Sequence, residues 1–252
     1  MKILVTFALE TEFAPWRKLR AFRRVGSESH ALYEAQIGEA EVKVALTGVG
    51  QENARRALRT ALLFAPDIVI SSGLAGSLKP DHRVGHILAA NAVRELPGKL
   101  QIESDPELLD LAEQHGIRRV KMFACVNEII RTAAQKRALA LEADAIEMES
   151  FPVLSEAKAF GIPAVAIRSI SDDANEDLPL NFEGISDEHG HIRFGKVIGR
   201  LARAPHSLPG VLRLGRQSRH SAENLAKFLD AFVGSLAAHG KIATAIAEVV
   251  TA

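Results

Sequence analysis

Short apolar segments alternate with amphipathic ones along most of the chain, and this alternation restricts the possible folds more than any other feature. Residues 2–7 (KILVTF) are apolar on both faces, as in a strand covered on both sides. Strands are predicted at residues 2–7, 33–37, 41–46, 68–70, 86–93, 119–126, 143–147 and 164–169. Helices are predicted at residues 10–24, 53–64, 106–115, 133–141 and 150–160. This order indicates an α/β fold with a mixed, mainly parallel central sheet flanked by helices in three layers.

A run of small residues, SSGLAGSL at 71–78, follows the predicted strand at 68–70 and is expected to be a loop. Small side chains let a ligand approach the backbone closely. In sheets of this kind, ligands bind beyond the carboxyl ends of the strands. The loop is therefore expected to form part of a binding site.

Composition restricts the class of protein. The chain has 252 residues, 47% of them apolar, with 31 basic and 31 acidic residues, so there is no net basic charge to attract nucleic acid. The single cysteine, Cys125, and the absence of metal-ligand spacings predict a cytoplasmic protein with no metal and no cofactor. No targeting segment is recognised. One domain is expected over residues 1–252, with a C-terminal extension at about 183–222 and a terminal helix at about 223–250.

Three acidic residues, Glu12, Glu149 and Asp172, share one setting, because each lies at or just beyond the carboxyl end of a predicted strand. When several carboxyl groups share one cleft, one can act as an acid and another as a base, because burial and mutual repulsion move their pKa values apart. Taken singly, each is more simply explained as a solvated acid or an acid at a helix N-terminus, and the pattern of all three favours a function.

The segment Glu147-Met148-Glu149-Ser150 places two acids on either side of a strand-to-helix junction. One of them is expected to face a ligand and the other to face structure. A carboxylate here could accept hydrogen bonds from the two hydroxyls of a ribose. Met148 is either an apolar floor for the sugar or simply part of the core.

Four segments, FALETE (7–12), GLAGSL (73–78), AIEMES (145–150) and RSISD (168–172), together resemble the purine nucleoside phosphorylase superfamily. Their order and spacing are most similar to its methylthioadenosine/S-adenosylhomocysteine nucleosidase branch, over roughly residues 1–178. Two positions depart from the pattern: Leu74 stands where that branch has serine, and Ile129 where it has an aromatic residue that stacks on the base.

The resemblance implies an enzyme that releases adenine from a nucleoside with a large or apolar 5′ group, through an oxocarbenium-like transition state. It implies that Asp172 is the general acid at purine N7, that Glu12 activates water, and that Arg168 helps to position the nucleophile. It also implies a homodimer. The expected substrate contacts are Glu149 and Met148 at the ribose and, elsewhere in the site, Ala75, Gly76, Ile129, Ile130, Ser171 and Glu147.

Water and phosphate remain alternative nucleophiles. Phosphate requires cations or a nest of donors, and residues 9–12 and 70–72 provide no arginine. Hydrolysis is therefore preferred, with phosphorolysis to a ribose 1-phosphate as the alternative. A non-catalytic nucleoside sensor on the same fold is a third possibility.

A basic, amphipathic stretch without acidic residues occupies positions 189–222. Its basic residues are Arg193, Lys196, Arg200, Arg203, Arg213, Arg216 and Arg219. Such a stretch is either a solvated or subunit-facing surface or, through residues 193–219, a peripheral contact with the inner membrane surface. A similar extension is found in hopanoid-associated nucleoside phosphorylases, which implies a lipid-linked nucleoside as a candidate substrate.

Overall fold

The computed structural model describes residues 1–25, 32–180 and 204–250, without the side chains of residues 205 and 239–250. The strands within these ranges are β1 (Lys2–Phe7), β2 (Arg23–Val25), β3 (Leu32–Ile37), β4 (Ala40–Leu46), β5 (Ile68–Ser71), β6 (Leu74–Ser77), β7 (Ile87–Glu95), β8 (Gln101–Glu103), β9 (Arg118–Cys125), β10 (Ala145–Glu147) and β11 (Ala164–Asp172). The helices are α1 (Glu10–Leu19), α2 (Gln51–Ala61), α3 (Pro106–Gln114), α4 (Ala133–Leu139), α5 (Ser150–Ala159) and α6 (Leu208–Val250).

The strands form one mixed sheet in the order β2-β3-β4-β1-β5-β11-β6-β10-β9-β7-β8. The central strands β4, β1, β5, β11 and β6 are paired in parallel. Strand β11 also pairs with β7, so that β11, β6, β10, β9 and β7 close into a ring. The predicted mixed α/β fold with a central sheet and flanking helices is confirmed.

Two helical layers cover the sheet because alternate side chains of each strand point to opposite faces. On β1, Ile3 and Phe7 belong to the core that contains Leu229 of α6, whereas Leu4 packs into the core that contains Leu154 of α5. Helices α1 and α6 thus share one face, and α2 and α5 the other. Full burial of a large apolar side chain contributes about 1.5–3 kcal/mol, so both layers stabilise the sheet.

The helix predicted for residues 10–24 is too long. Helix α1 ends at Leu19, and Arg23–Val25 forms the edge strand β2. Phe22 turns inward against the Phe13 ring, with the ring centroids 5.1 Å apart, and Arg23 pairs with Glu34 of β3. The charge pattern was misread because charged residues are common both on helix surfaces and on edge strands.

The prediction of a loop over residues 71–78 is also wrong, because Leu74–Ser77 forms the inner strand β6. Gly76 lies opposite Ile146 of β10 and beside Asp172 of β11. A Cβ at Gly76 would lie only 3.0 Å from Asp172 Oδ2 and 3.2 Å from Ile146 Cγ2. Small residues therefore serve close strand packing here as well as loop formation.

The terminal helix begins at Leu208 as α6, well before the predicted residue 223, so the end of the predicted extension is helical. Residues 183–203 of that extension, with Arg193, Lys196, Arg200 and Arg203, lie outside the described residues. Within the part of the chain that is described, no helix is long and apolar enough to cross a membrane.

Candidate active site

Glu12 lies in the first turn of α1, immediately beyond β1, and is only 7% exposed. Its Oε2 accepts hydrogen bonds from the backbone N–H groups of Ala8 and Leu9, each at 3.1 Å. Its Oε1 accepts one from the N–H of Leu74 at 3.2 Å. Burial raises the pKa of Glu12, while these hydrogen bonds and the nearby Arg168 charge act in the opposite direction.

A glycine makes room for this carboxylate. Gly73 has a φ of +144°, a conformation that residues with a side chain rarely adopt, and a Cβ there would lie 3.2 Å from Glu12 Oε2. The turn between β5 and β6 can therefore approach the carboxylate closely, which brings the Leu74 N–H within hydrogen-bond distance.

Glu149 lies where β10 passes into α5. Its Oε1 accepts a hydrogen bond from the N–H of Gly50, in the turn that follows β4, at 2.8 Å. Its Oε2 is 3.9 Å from Arg168 Nη2. Burial, reinforced by the negative charge of Glu147, raises the pKa of Glu149 to about 8. A carboxyl group of this kind lies poised between its neutral and ionised forms near neutral pH.

Glu147 and Arg168 form a fully buried ion pair. Arg168 Nη2 donates to Glu147 Oε2 at 2.6 Å, and the two side chains are 1% and 0% exposed. The same oxygen accepts the N–H groups of Glu149 and Ser150 at 3.0 and 2.7 Å. Glu147 is thus held within the structure as the partner of Arg168, since an unpaired buried arginine would be costly. Its expected contact with substrate stays a prediction.

Arg168 is held by more than this carboxylate. Its Nη2 also lies 3.3 Å from Ser71 Oγ, which in turn lies 3.0 Å from Ser150 Oγ. These contacts connect the end of β5, the start of α5 and the middle of β11. Arg168 is therefore held in place between Glu147 and Ser71.

Asp172 ends β11 and accepts hydrogen bonds at both carboxylate oxygens. Ser171 Oγ donates to Oδ1 at 2.8 Å, and Lys136 Nζ donates to Oδ2 at 2.5 Å. Lys136 lies on α4 and is 1% exposed. The strand end, a serine and a buried lysine together fix the orientation of Asp172.

The remaining expected residues lie on β6, beside β10 and in the segment after β9. Ser171 Oγ also lies 3.3 Å from the carbonyl oxygen of Ala75 on β6. Ile130 and Met148 are half-buried and pack against one small apolar cluster. Ile129, which precedes Ile130 in the chain, is also half-buried. The cluster gives Met148 a packing role in addition to any contact with a sugar.

Sequence reasoning missed Lys136, Gly50, Ser71 and Ser150. Lys136 stands in the helical run AAQKRAL beside Arg137, where a lysine normally indicates a solvent-facing surface. Gly50 has no side chain to indicate a role, yet its N–H contacts Glu149. The two serines have no distinguishing sequence signal, because their roles depend on which strand ends meet.

The arrangement combines three features useful for cleaving a bond to a sugar. Two carboxyl groups, Glu12 and Glu149, have raised pKa values, and a third, Asp172, is held by a cation. Those that are ionised stabilise a developing oxocarbenium ion, and a protonated carboxyl group can donate a hydrogen bond as well as accept one. In residues 1–25, 32–180 and 204–250, no cluster of three or more His, Cys, Asp or Glu residues is arranged to hold a metal ion.

Comparison with known proteins gives the site its family context. A model of the phosphorylase superfamily matches residues 2–208, which is most of the chain. The chain belongs to the phosphorylase superfamily. It is 30% identical over 213 residues to a 5′-methylthioadenosine/S-adenosylhomocysteine nucleosidase of Exiguobacterium sp., a match that covers 73% of this chain and 90% of the relative.

Several solved structures share the fold. A Helicobacter pylori 5′-methylthioadenosine/S-adenosylhomocysteine nucleosidase with butyl-thio-DADMe-Immucillin-A has a TM-score of 0.73 at 22% identity, over 93% of this chain and 98% of the other. A futalosine hydrolase mutant of the same organism has a TM-score of 0.73 at 21% identity, over 93% and 99%. The resemblance noted from the sequence, and the expectation of an enzyme of nucleosidase or phosphorylase type, are confirmed.

Proposed function

We propose that the protein hydrolyses the N-glycosidic bond of an adenine nucleoside with a large or apolar 5′ substituent, releasing adenine. The observation that carries this proposal is the grouping of buried Glu12 and Glu149 around Arg168 at the carboxyl ends of the parallel strands. The curated relative, a nucleosidase of adenine nucleosides by its name, supports the same reaction.

In this proposal each acid has one task. Ionised Glu12 takes a proton from the attacking water, and Glu149 holds the ribose hydroxyls. Asp172 supports proton transfer to purine N7, so that the base leaves in neutral form. Ala75, Gly76, Ile129 and Ile130 surround the base, and Met148 lies under the sugar.

Water is preferred to phosphate as the nucleophile because of the local charge. Arg168 is the cation beside Glu12 and Glu149, and it is already paired with Glu147 at 2.6 Å. Among the described residues 1–25, 32–180 and 204–250, this paired arginine is therefore not free to bind a phosphate dianion, and ionised Glu12 would repel one. The deciding experiment measures adenine release from methylthioadenosine, S-adenosylhomocysteine, adenosine and 5′-deoxyadenosine, with and without phosphate, with mass spectrometry of the sugar product.

Release of adenine together with a free ribose product, at a rate that does not depend on phosphate, would support hydrolysis. Formation of a ribose 1-phosphate only when phosphate is present would show that phosphate, and not water, is the nucleophile. Nucleoside binding without release of base from any of the four compounds would favour the sensor instead. The variant Asp172→Asn is expected to lose about 10²–10⁴-fold in rate while still binding nucleoside.

A peripheral contact with lipid is a second proposal, supported by the first turns of α6. Leu208 and Leu212 are 42% and 56% exposed, and the exposed Arg213 and Arg216 lie beside them in sequence. Exposed leucines next to basic side chains suit an anionic membrane surface. Such a contact would favour a nucleoside whose 5′ group is a lipid, so the assay should include adenosines with 5′-alkyl chains of increasing length.

A further inference from the structure

Lys136 is a buried cation with all three of its N–H donors engaged. Nζ donates to Asp172 Oδ2 at 2.5 Å, to the carbonyl oxygen of Asp173 at 2.7 Å and to that of Glu176 at 3.1 Å. The side chain is 1% exposed, whereas most lysines lie at the surface. Burial of a lysine is costly unless it is paired, so its position opposite Asp172 requires an explanation.

The carboxylate of Asp172 acts only as an acceptor in this structure, because Ser171 donates to one oxygen and Lys136 to the other. Gly76 lets β6 pack closely against this carboxylate, because a Cβ there would lie 3.0 Å from Oδ2 and 3.5 Å from Oδ1. A departing base needs a proton, however, and the nearest side chain that carries one toward Asp172 as an ammonium is Lys136.

We propose that Lys136 is a positioning residue for base departure, which orients Asp172 and stores the proton that Asp172 passes to the leaving purine. This inference rests on the proposed function. As the C1′–N9 bond breaks, its electron pair goes to the base, N7 takes a proton from Asp172, and Asp172 takes one from Lys136 Nζ. Water adds to C1′ and gives its proton to Glu12. After product release, Glu12 returns that proton to solvent and Lys136 is reprotonated from solvent.

Two hydrogen bonds connect the start of α4 to the segment that follows β11. The N–H of Ala133 at the start of α4 donates to Asp177 Oδ1 at 2.7 Å, and the N–H of Leu178 donates to the carbonyl oxygen of Arg131 at 2.8 Å. The segment after Asp172 is thus attached to the chain at the start of α4, on the N-terminal side of Lys136. These contacts support the position of Lys136 next to Asp172.

The test compares two leaving groups in wild type, Lys136→Met, Asp172→Asn and the control Arg137→Met, an exposed cation of the same helix. Adenine needs a proton to leave, whereas p-nitrophenolate does not. For adenine release from methylthioadenosine, we expect Lys136→Met and Asp172→Asn each to lower kcat by about 100-fold or more, with KM changed by less than about threefold. Release of p-nitrophenolate from p-nitrophenyl β-ribofuranoside should stay within about threefold of wild type in all variants.

The inference is overturned if Lys136→Met releases adenine at the wild-type rate, or if it loses both activities in parallel, which would indicate a structural role alone. A Lys136→Met loss that Arg137→Met reproduces would overturn it too. Wild-type protein that cleaves neither compound would overturn the proposed function together with this inference. A normal wild type with an unaffected Lys136→Met would overturn only the inference.

Discussion

Glu12 combines burial with three backbone hydrogen bonds, and these have opposite effects on its charge. A base must be ionised to take a proton from water, and the pKa of Glu12 is raised by burial. Activity should therefore fall as pH is lowered through a midpoint above the ordinary value of 4.5 for a glutamate. We expect Glu12→Gln to lose about 10²–10⁴-fold in kcat, measured by adenine release. The neighbouring Glu10→Gln serves as the control, and an equal loss in both would contradict the role of Glu12.

Glu149 makes a separate prediction about stability. Its pKa is about 8 in the folded protein, so the folded state holds a proton that the unfolded chain releases near 4.5. Ionising Glu149 in the folded state is unfavourable, and this cost appears as pH rises from 4.5 towards 8. Glu149→Gln removes the cost and keeps an oxygen for the Gly50 N–H.

The gain in Tm of Glu149→Gln over wild type should therefore be larger at pH 8 than at pH 5, by about 2 °C or more. Thermal unfolding at both pH values measures the difference, with the exposed Glu52→Gln as a matched control. A gain that is the same at both pH values would contradict the raised pKa.

At the scale of elements, α6 is joined to α1 by a polar contact at the edge of their shared core. Asp230 of α6 accepts the Trp16 indole N–H at 3.3 Å and two N–H groups of Arg20 at 2.6 and 2.9 Å. Trp16 is fully buried, so loss of its partner leaves a donor unsatisfied. Asp230→Ala should lower the free energy of unfolding by about 1–3 kcal/mol in urea denaturation. Asp230→Asn keeps an acceptor and should cost less, and equal losses would show that the indole contact is unimportant.

Prediction of the elements succeeded where local chemistry decides the conformation. Asp105 accepts the N–H groups of Glu107 and Leu108 at the start of α3, and Thr132 accepts that of Gln135 at the start of α4, both at predicted positions. Strand β6 was read as a loop because the pairing of its small residues depends on β10 and β11, which are distant in sequence. Strand β8 was not predicted either, although its antiparallel pairing with β7 is a local hairpin, because three residues are too short a segment to show a strand pattern.

For the whole molecule, the proposed lipid contact and the expected homodimer are tested in solution. We expect the protein to sediment with anionic vesicles at low salt and to be released as salt screens the basic charges. Arg213→Glu with Arg216→Glu should abolish sedimentation, whereas the control pair Arg55→Glu with Arg56→Glu on α2 should not. Failure of wild type to sediment would contradict the contact.

The expected homodimer is tested by light scattering, which should give twice the chain mass of 27.2 kDa. A monomer mass would contradict the dimer.

The sequence by itself determined the alternation of strands and helices, the caps, and the placement of Glu12, Glu149 and Asp172 at strand ends, because periodicity and local hydrogen bonding act over a few residues. Only the tertiary structure decided which groups meet. It placed Glu147 in a buried pair with Arg168, and Lys136 against Asp172, which lies 36 positions along the chain. Such partners are selected by the cost of burying an unpaired charge, and that cost arises only when the strand ends and α4 have come together.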